Sequence, residues 1–116
     1  MKIAIAAQGE KVSAHFGHCE GFLVYKTTGE EVLSKTKVSN PGHKPGFLPV
    51  FLDGMGVELI VAGGMGEHAQ TLFKQNNIAV ITGATGDCDI IVADYLKGQL
   101  ESSNSVCKEH MHSGDC

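Results

Sequence analysis

The chain contains no arginine and no tryptophan, and its 116 residues include only three prolines. Without arginine there is no forked guanidinium to grip phosphates or read guanine. The nine lysines are scattered from Lys2 to Lys108 and form no stripe, and the formal net charge is −4. Nucleic acid is therefore excluded as an expected partner. No run is long and apolar enough to cross a membrane, and the apolar stretch Ile3 to Ala7 is too short for a signal peptide. The expectation is a cytoplasmic protein with no membrane partner. No Ser–His–Asp order, carboxylate pair or phosphate-loop lysine is present, so nothing suggests bond breaking and the chain is read as not an enzyme. Aromatics are only 6% of residues within a hydrophobic content of 42%. The core is thus mostly Val, Ile, Leu and Ala, which suits a sheet covered by helices.

Glycine, by contrast, is abundant at 15 residues, and four glycines punctuate the most informative stretch. Gly56 opens a turn; Leu59 to Ala62 is a short unbroken apolar run, as in a strand buried on both faces. The strand breaks at Gly63-Gly64-Met65-Gly66 and feeds a helical pattern from Glu67 to Asn76, with Ala69, Leu72 and Phe73 as its buried stripe. In open α/β sheets such a rim collects bare backbone N–H groups and helix ends, so Gly63, Gly64, Met65, Gly66 and His68 are candidate cofactor-binding residues. A purely structural turn is the plainer reading.

Around this stretch the predicted elements are strands at Lys2–Ala7, Gly21–Thr27, Glu31–Val38 and Ile78–Ile81, the last read as buried. A hairpin turn falls at Thr28–Glu30, and Val12–Cys19 is read as a loop with one helical turn. Helices are predicted at Phe47–Asp53 and Asp87–Leu96. Phe47, Val50, Phe51 and Gly54 share helical spacing in the first of these, and Pro49 fits its first turn. In the second, Asp87 and Asp89 cap and start the helix, Cys88, Ile91, Val92 and Tyr95 form its apolar side, and Gly98 ends it. The fold class is α/β with a mixed, mostly parallel sheet of about five strands. Residues 1–100 read as one cofactor-binding domain, and residues 101–116, Ser-rich and polar, as a flexible tail bearing Cys and His.

Three of the four cysteines have a histidine within four residues. In a cytoplasmic protein such cysteines are read as metal ligands or redox groups before disulfides. His15, His18 and Cys19 form the first constellation; imidazole and thiolate suit zinc, copper and iron. The alternative is that Cys19 is a small buried hydrophobe beside two surface histidines. A lowered Cys19 pKa is expected if its thiol is exposed beside imidazoles and a helix end. The tail carries Cys107, His110, His112 and Cys116, a spacing that matches no standard zinc finger. It is read as a flexible metal-capturing arm, or as a disordered tail with incidental ligands. His43, in a Pro- and Gly-rich loop, is a weaker candidate, and Cys88 is read as core.

Several of these pieces, taken in order, resemble the dinitrogenase iron–molybdenum cofactor biosynthesis family, which includes NifX-type carriers and the C-terminal domain of NifB. They are His15-Phe16-Gly17-His18-Cys19 with Phe22, then Pro41-Gly42-His43 leading into Leu48-Pro49-Val50-Phe51-Leu52. Gly56-Val57 through Gly63-Gly64-Met65-Gly66 with Ala69 follow, and finally Tyr95-Leu96-Lys97-Gly98. The resemblance implies a three-layer α/β/α, ribonuclease H-like fold without nuclease activity. It also implies a carrier or scaffold for an iron–sulfur or molybdenum-containing cluster, with protein partners that donate or accept it. By the same resemblance, Cys19, His15, His43 and the turn from Gly63 to Gly66 line the cluster site. Two rival readings stand beside it: a small-molecule or nucleotide-binding regulatory domain built on the glycine turn, and a zinc or copper buffer acting through the tail alone.

Overall fold

The structure is a computed structural model, and it describes residues 1–42 and 46–98. A six-stranded mixed sheet forms its centre, with strand order β4-β3-β1-β5-β6 and the short β2 paired to β1. The strands are β1 (Lys2–Gln8), β2 (Lys11–Val12), β3 (Gly21–Thr28), β4 (Glu31–Ser39), β5 (Leu59–Val61) and β6 (Ala79–Ile81). β1 runs parallel to β5, and β5 to β6, while β1–β2, β1–β3 and β3–β4 are antiparallel. The balance is therefore antiparallel rather than mostly parallel. The long β3–β4 hairpin and the two-residue β2, which carries too little pattern to read from sequence, account for the difference. β1, not β5, holds the middle of the sheet. β5 is an inner strand, with all three residues buried as expected. β6 is an edge strand, and Ala79 is exposed where a buried strand was expected.

Helices cover both faces, and strand alternation decides which residue meets which layer. Ala4, Ala6, Phe22, Val24, Ile60 and Ala62 point to one side, where they pack with Leu48 and Leu52 of α1 (Phe47–Gly54) and Phe73 of α2 (Glu67–Gln75). Ile3, Ile5, Leu23, Tyr25, Leu59 and Val61 point to the other, against Cys88, Ile91 and Val92 of α3 (Cys88–Leu96). The expected apolar side of α3 is thus the observed one. Asp87 caps α3 by accepting from the Asp89 N–H, and Gly98, at φ +75°, follows its end in the left-handed region.

Two helix stripes differ from expectation. α1 buries Leu48, Pro49 and Leu52, while Phe47 and Val50 are exposed and Phe47 stacks on Phe51 instead. In α2 only Phe73 is fully buried, and Ala69 and Leu72 are half-buried. Both are two-turn helices lying on a sheet, so a narrow strip of each meets the core.

Strand register places the segments of interest along one rim. Ala7 pairs with Gly21, and Gly21 with Ser39. On the other side Ile5 pairs with Val61, and Val61 with Ile81. Every chain leaving or entering these strands at that end therefore emerges within a few residues of the others: Gly9, Cys19, Asn40, Gly63 and Gly83.

Candidate functional site

Two of these rim segments are joined through their backbones. The Gly63 N–H donates to the Ser13 carbonyl at 2.9 Å, and the Phe16 N–H donates to the Gly64 carbonyl at 2.9 Å. The approach is close enough to require glycine. A Cβ on Gly63 would lie 2.8 Å from the Ala14 Cα and 2.8 Å from the Ser13 carbonyl oxygen. The Ser13 side chain shapes the next step: its Oγ donates to the His15 carbonyl at 2.9 Å and accepts from the His15 N–H at 3.3 Å. Phe16 then enters the core, edge-on to Phe73 with ring centroids 5.3 Å apart and 6.0 Å from Phe22. Burying such a ring contributes about 1.5–3 kcal/mol, so Phe16 fastens the whole His15–Cys19 segment to the sheet.

The segment itself is a 3₁₀ turn, Phe16–His18. At three residues per turn, positions i and i+3 eclipse, which puts His15 and His18 on one outer edge. Both are exposed, their rings nearly perpendicular with centroids 6.3 Å apart. Cys19 lies one residue further round and points inward. It is 5% exposed and shares a core cluster with Phe16, Phe22 and Met65. Burial pushes its thiol up to about 11, against hydrogen bonds from the backbone and Asn40 that pull it down. The expectation of a lowered pKa is thus corrected: desolvation disfavours the thiolate more than the neighbouring donors favour it. Cys88 is core, as read from sequence; it is buried on the opposite face of the sheet, and burial raises its pKa to about 11 too.

Met65 is wholly buried, Gly64 and Gly66 are buried, and His68 is exposed on the first turn of α2. No side chain caps α2: Gly66 occupies the N-cap, and Glu67 is the acidic residue of the first turn. The helix end thus offers amides to an anion beside a carboxylate that already answers part of its dipole. Among the described residues no three His, Cys, Asp or Glu side chains are grouped as a metal site. Cys19 is the one thiol on this rim among those residues. His43, Cys107, His110, His112 and Cys116 lie outside the described residues.

One residue that sequence reasoning passed over joins this site. Asn40, at the end of β4, donates from Nδ2 to the Cys19 carbonyl at 3.0 Å and reaches the Cys19 Sγ at 3.7 Å. Its Oδ1 accepts from the Gly42 N–H at 3.0 Å. The signal was present as Asn-Pro-Gly, a turn dipeptide followed by glycine, but nothing local tied it to Cys19, 21 positions away.

The family model described as dinitrogenase iron-molybdenum cofactor matches residues 1–98. The chain belongs to this family. An uncharacterised protein of Methanocaldococcus jannaschii is 32% identical over 106 residues, spanning 87% of this chain and 90% of the relative. The crystal structure of the protein PH0822 matches with a TM-score of 0.83 at 29% identity, covering 90% of this chain and 96% of that one. An NMR structure of a Thermotoga protein, described as a candidate NifB protein, matches with a TM-score of 0.69 at 25% identity, covering 87% and 91%. Membership in the iron–molybdenum cofactor family supports a role in the biosynthesis of that cofactor. Among the described residues no helix is long and apolar enough to cross a membrane.

Proposed function

We propose that the protein is a carrier or scaffold that takes up an iron–sulfur or molybdenum-containing cluster as cargo and passes it between donor and acceptor proteins. The observation that carries this reading is the backbone stitch between the His15–Cys19 segment and the Gly63–Gly66 turn, which sets the rim's single described thiol beside a glycine turn and an uncapped helix end. Cys19 supplies a thiolate, His15 and His18 stand at the mouth, and the glycine turn approaches the cargo with bare backbone. Further ligands are assigned to His43, Cys107, His110, His112 and Cys116.

The described conformation is the closed thiol form. Loading requires the 3₁₀ turn to lift Phe16 and uncover the Cys19 sulfur where it lies, and metal then replaces the thiol proton. The test is anaerobic reconstitution with ferrous iron, sulfide and molybdate, read by visible absorption and metal analysis. The expected result is a coloured protein whose metal content falls about tenfold or more in Cys19→Ser. A colourless, metal-free wild type would refute the carrier reading. Truncation after Leu100 separates the tail-only buffer, for which truncation abolishes metal uptake and Cys19→Ser leaves it intact.

A further inference from the structure

Resting on the carrier reading, we propose that Asn40 is a positioning residue for the cluster-binding thiolate, giving Cys19 Sγ an N–H hydrogen bond and tying it to the strand end that leads to His43. Three bonds fix its side chain. Nδ2 faces the Cys19 carbonyl at 3.0 Å and the Cys19 Sγ at 3.7 Å, and Oδ1 takes the Gly42 N–H at 3.0 Å. The orientation of the amide is decided by its partners. A flipped side chain would set its NH₂ against the Gly42 N–H and its oxygen against the Cys19 carbonyl, losing both strong bonds. The main chain adds a fourth tie, as the Asn40 N–H donates to the Glu20 carbonyl at 3.2 Å. Asn40 is thereby clasped to both residues that bracket the Cys19–Glu20 peptide bond.

The amide has two hydrogens and two acceptors within reach, the Cys19 carbonyl and the Cys19 sulfur. The carbonyl bond holds the backbone of Cys19 in place, and the same Nδ2 stands within reach of the sulfur. A thiol is a poor acceptor, so this bond is weak in the closed form; a metal-bound thiolate is a charged acceptor, and the same N–H then becomes a charge-assisted bond. Hydrogen bonds to cluster sulfurs are among the determinants of reduction potential, and partners of ligating groups govern retention. Asn40 also couples sites. Its Oδ1 sets the turn at Pro41-Gly42, so that turn and the surroundings of the Cys19 sulfur answer to one side chain.

The turn and the donor can be separated. Asn40→Asp keeps an Oδ1 for the Gly42 N–H and has no N–H to give, and Asn40→Ser keeps a shorter acceptor with no reach to sulfur. A merely structural turn role is satisfied by Asp, whereas the proposed donor role is satisfied by neither. The experiment loads wild type, Asn40→Asp, Asn40→Ser and Cys19→Ser anaerobically with ferrous iron, sulfide and molybdate. It then measures iron release to a ferrous chelator, the visible spectrum and the reduction potential, with apo melting curves checking the fold. Expected are folded apo variants in which both Asn40 substitutions release iron about 10–100-fold faster than wild type, with a shifted sulfur-to-metal band and a more negative potential. Release rates and spectra of Asn40→Asp equal to wild type, while Cys19→Ser loses its cluster, would overturn this inference and leave the carrier reading standing. A wild type that takes up no metal overturns both.

Discussion

The most consequential property of a single residue here is the burial of Cys19. Two nearby histidines suggest an activated thiolate, yet the sulfur is buried in the cluster that also holds Phe16, and its pKa is pushed up to about 11. Raised acid pKa values act in one direction. The folded state favours the protonated thiol, so the contribution to stability is complete below the unfolded value near 9.0 and is lost as pH rises through about 11. Cys88 behaves alike, from 9.0 to about 11. Native protein treated with iodoacetamide at pH 8, with labelled sites mapped by peptide mass spectrometry, should show Cys19 and Cys88 modified about 100-fold or more slowly than in urea. Labelling of Cys19 at the rate of an unfolded thiol would show that the closed form is not the resting one. The sequence carried the identity of this thiol but not its state. His15, His18 and Cys19 look like one ligand group along the chain, and only the 3₁₀ geometry, with Phe16 drawn into the core, divides them into two outward imidazoles and an inward sulfur.

At the scale of elements, the join between the 3₁₀ segment and the glycine turn decides whether a site exists. Gly63 is needed there for space, because a Cβ would meet the backbone of Ser13 and Ala14, and backbone pinned by two hydrogen bonds has little room to yield. Gly63→Ala should lower stability by about 1–3 kcal/mol, as an overpacked site does, and reduce cluster loading by separating the two segments. Gly54→Ala is the control: its Cβ meets nothing within 4 Å at the end of α1, so stability should be unchanged or rise by up to about 1 kcal/mol. Urea titrations of both variants give the comparison, and equal effects would remove the argument from close approach. Much at this scale was legible beforehand. β5, the glycine break, α2 and the Asp87 cap follow from periodicity and turn chemistry. The sheet's antiparallel bias and the exposed Phe47 and Val50 were not legible, since strand pairing and the choice of helix face are settled by partners distant in sequence. Asn40 was missed for the same reason, its partner lying across the sheet rim.

Across the whole molecule, the face opposite the site is held by a polar network whose members lie far apart along the chain. Tyr25 on β3 donates to Asp89 on α3 at 2.6 Å, and Lys35 on edge strand β4 bridges Asp89 at 2.9 Å and Glu10 at 2.5 Å, its Nζ 5.8 Å from the Tyr25 ring centroid. These bonds cross the sheet edge and tie α3 and the β1–β2 hairpin to β4. The hairpin leads directly into Ser13 and the stitch to Gly63, so the network braces the site from behind. Its electrostatics have a definite sign. The Tyr25 hydroxyl and, next, Lys35 hold the Asp89 carboxyl below its ordinary value. A lowered carboxyl pKa contributes stability above the ordinary carboxylate value, near about 4, and that contribution disappears as pH falls through the folded value. Asp89 and Lys35 are both partly exposed, so salt screens the effect and keeps it small. In low salt, wild type should therefore exceed Asp89→Asn in urea midpoint at pH 7. The gap should close as pH drops below about 4 and narrow at pH 7 when salt is raised. A gap that persisted unchanged into acid would mean that Asp89 serves α3 by packing or capping alone, and that the charge network contributes nothing to bracing the site.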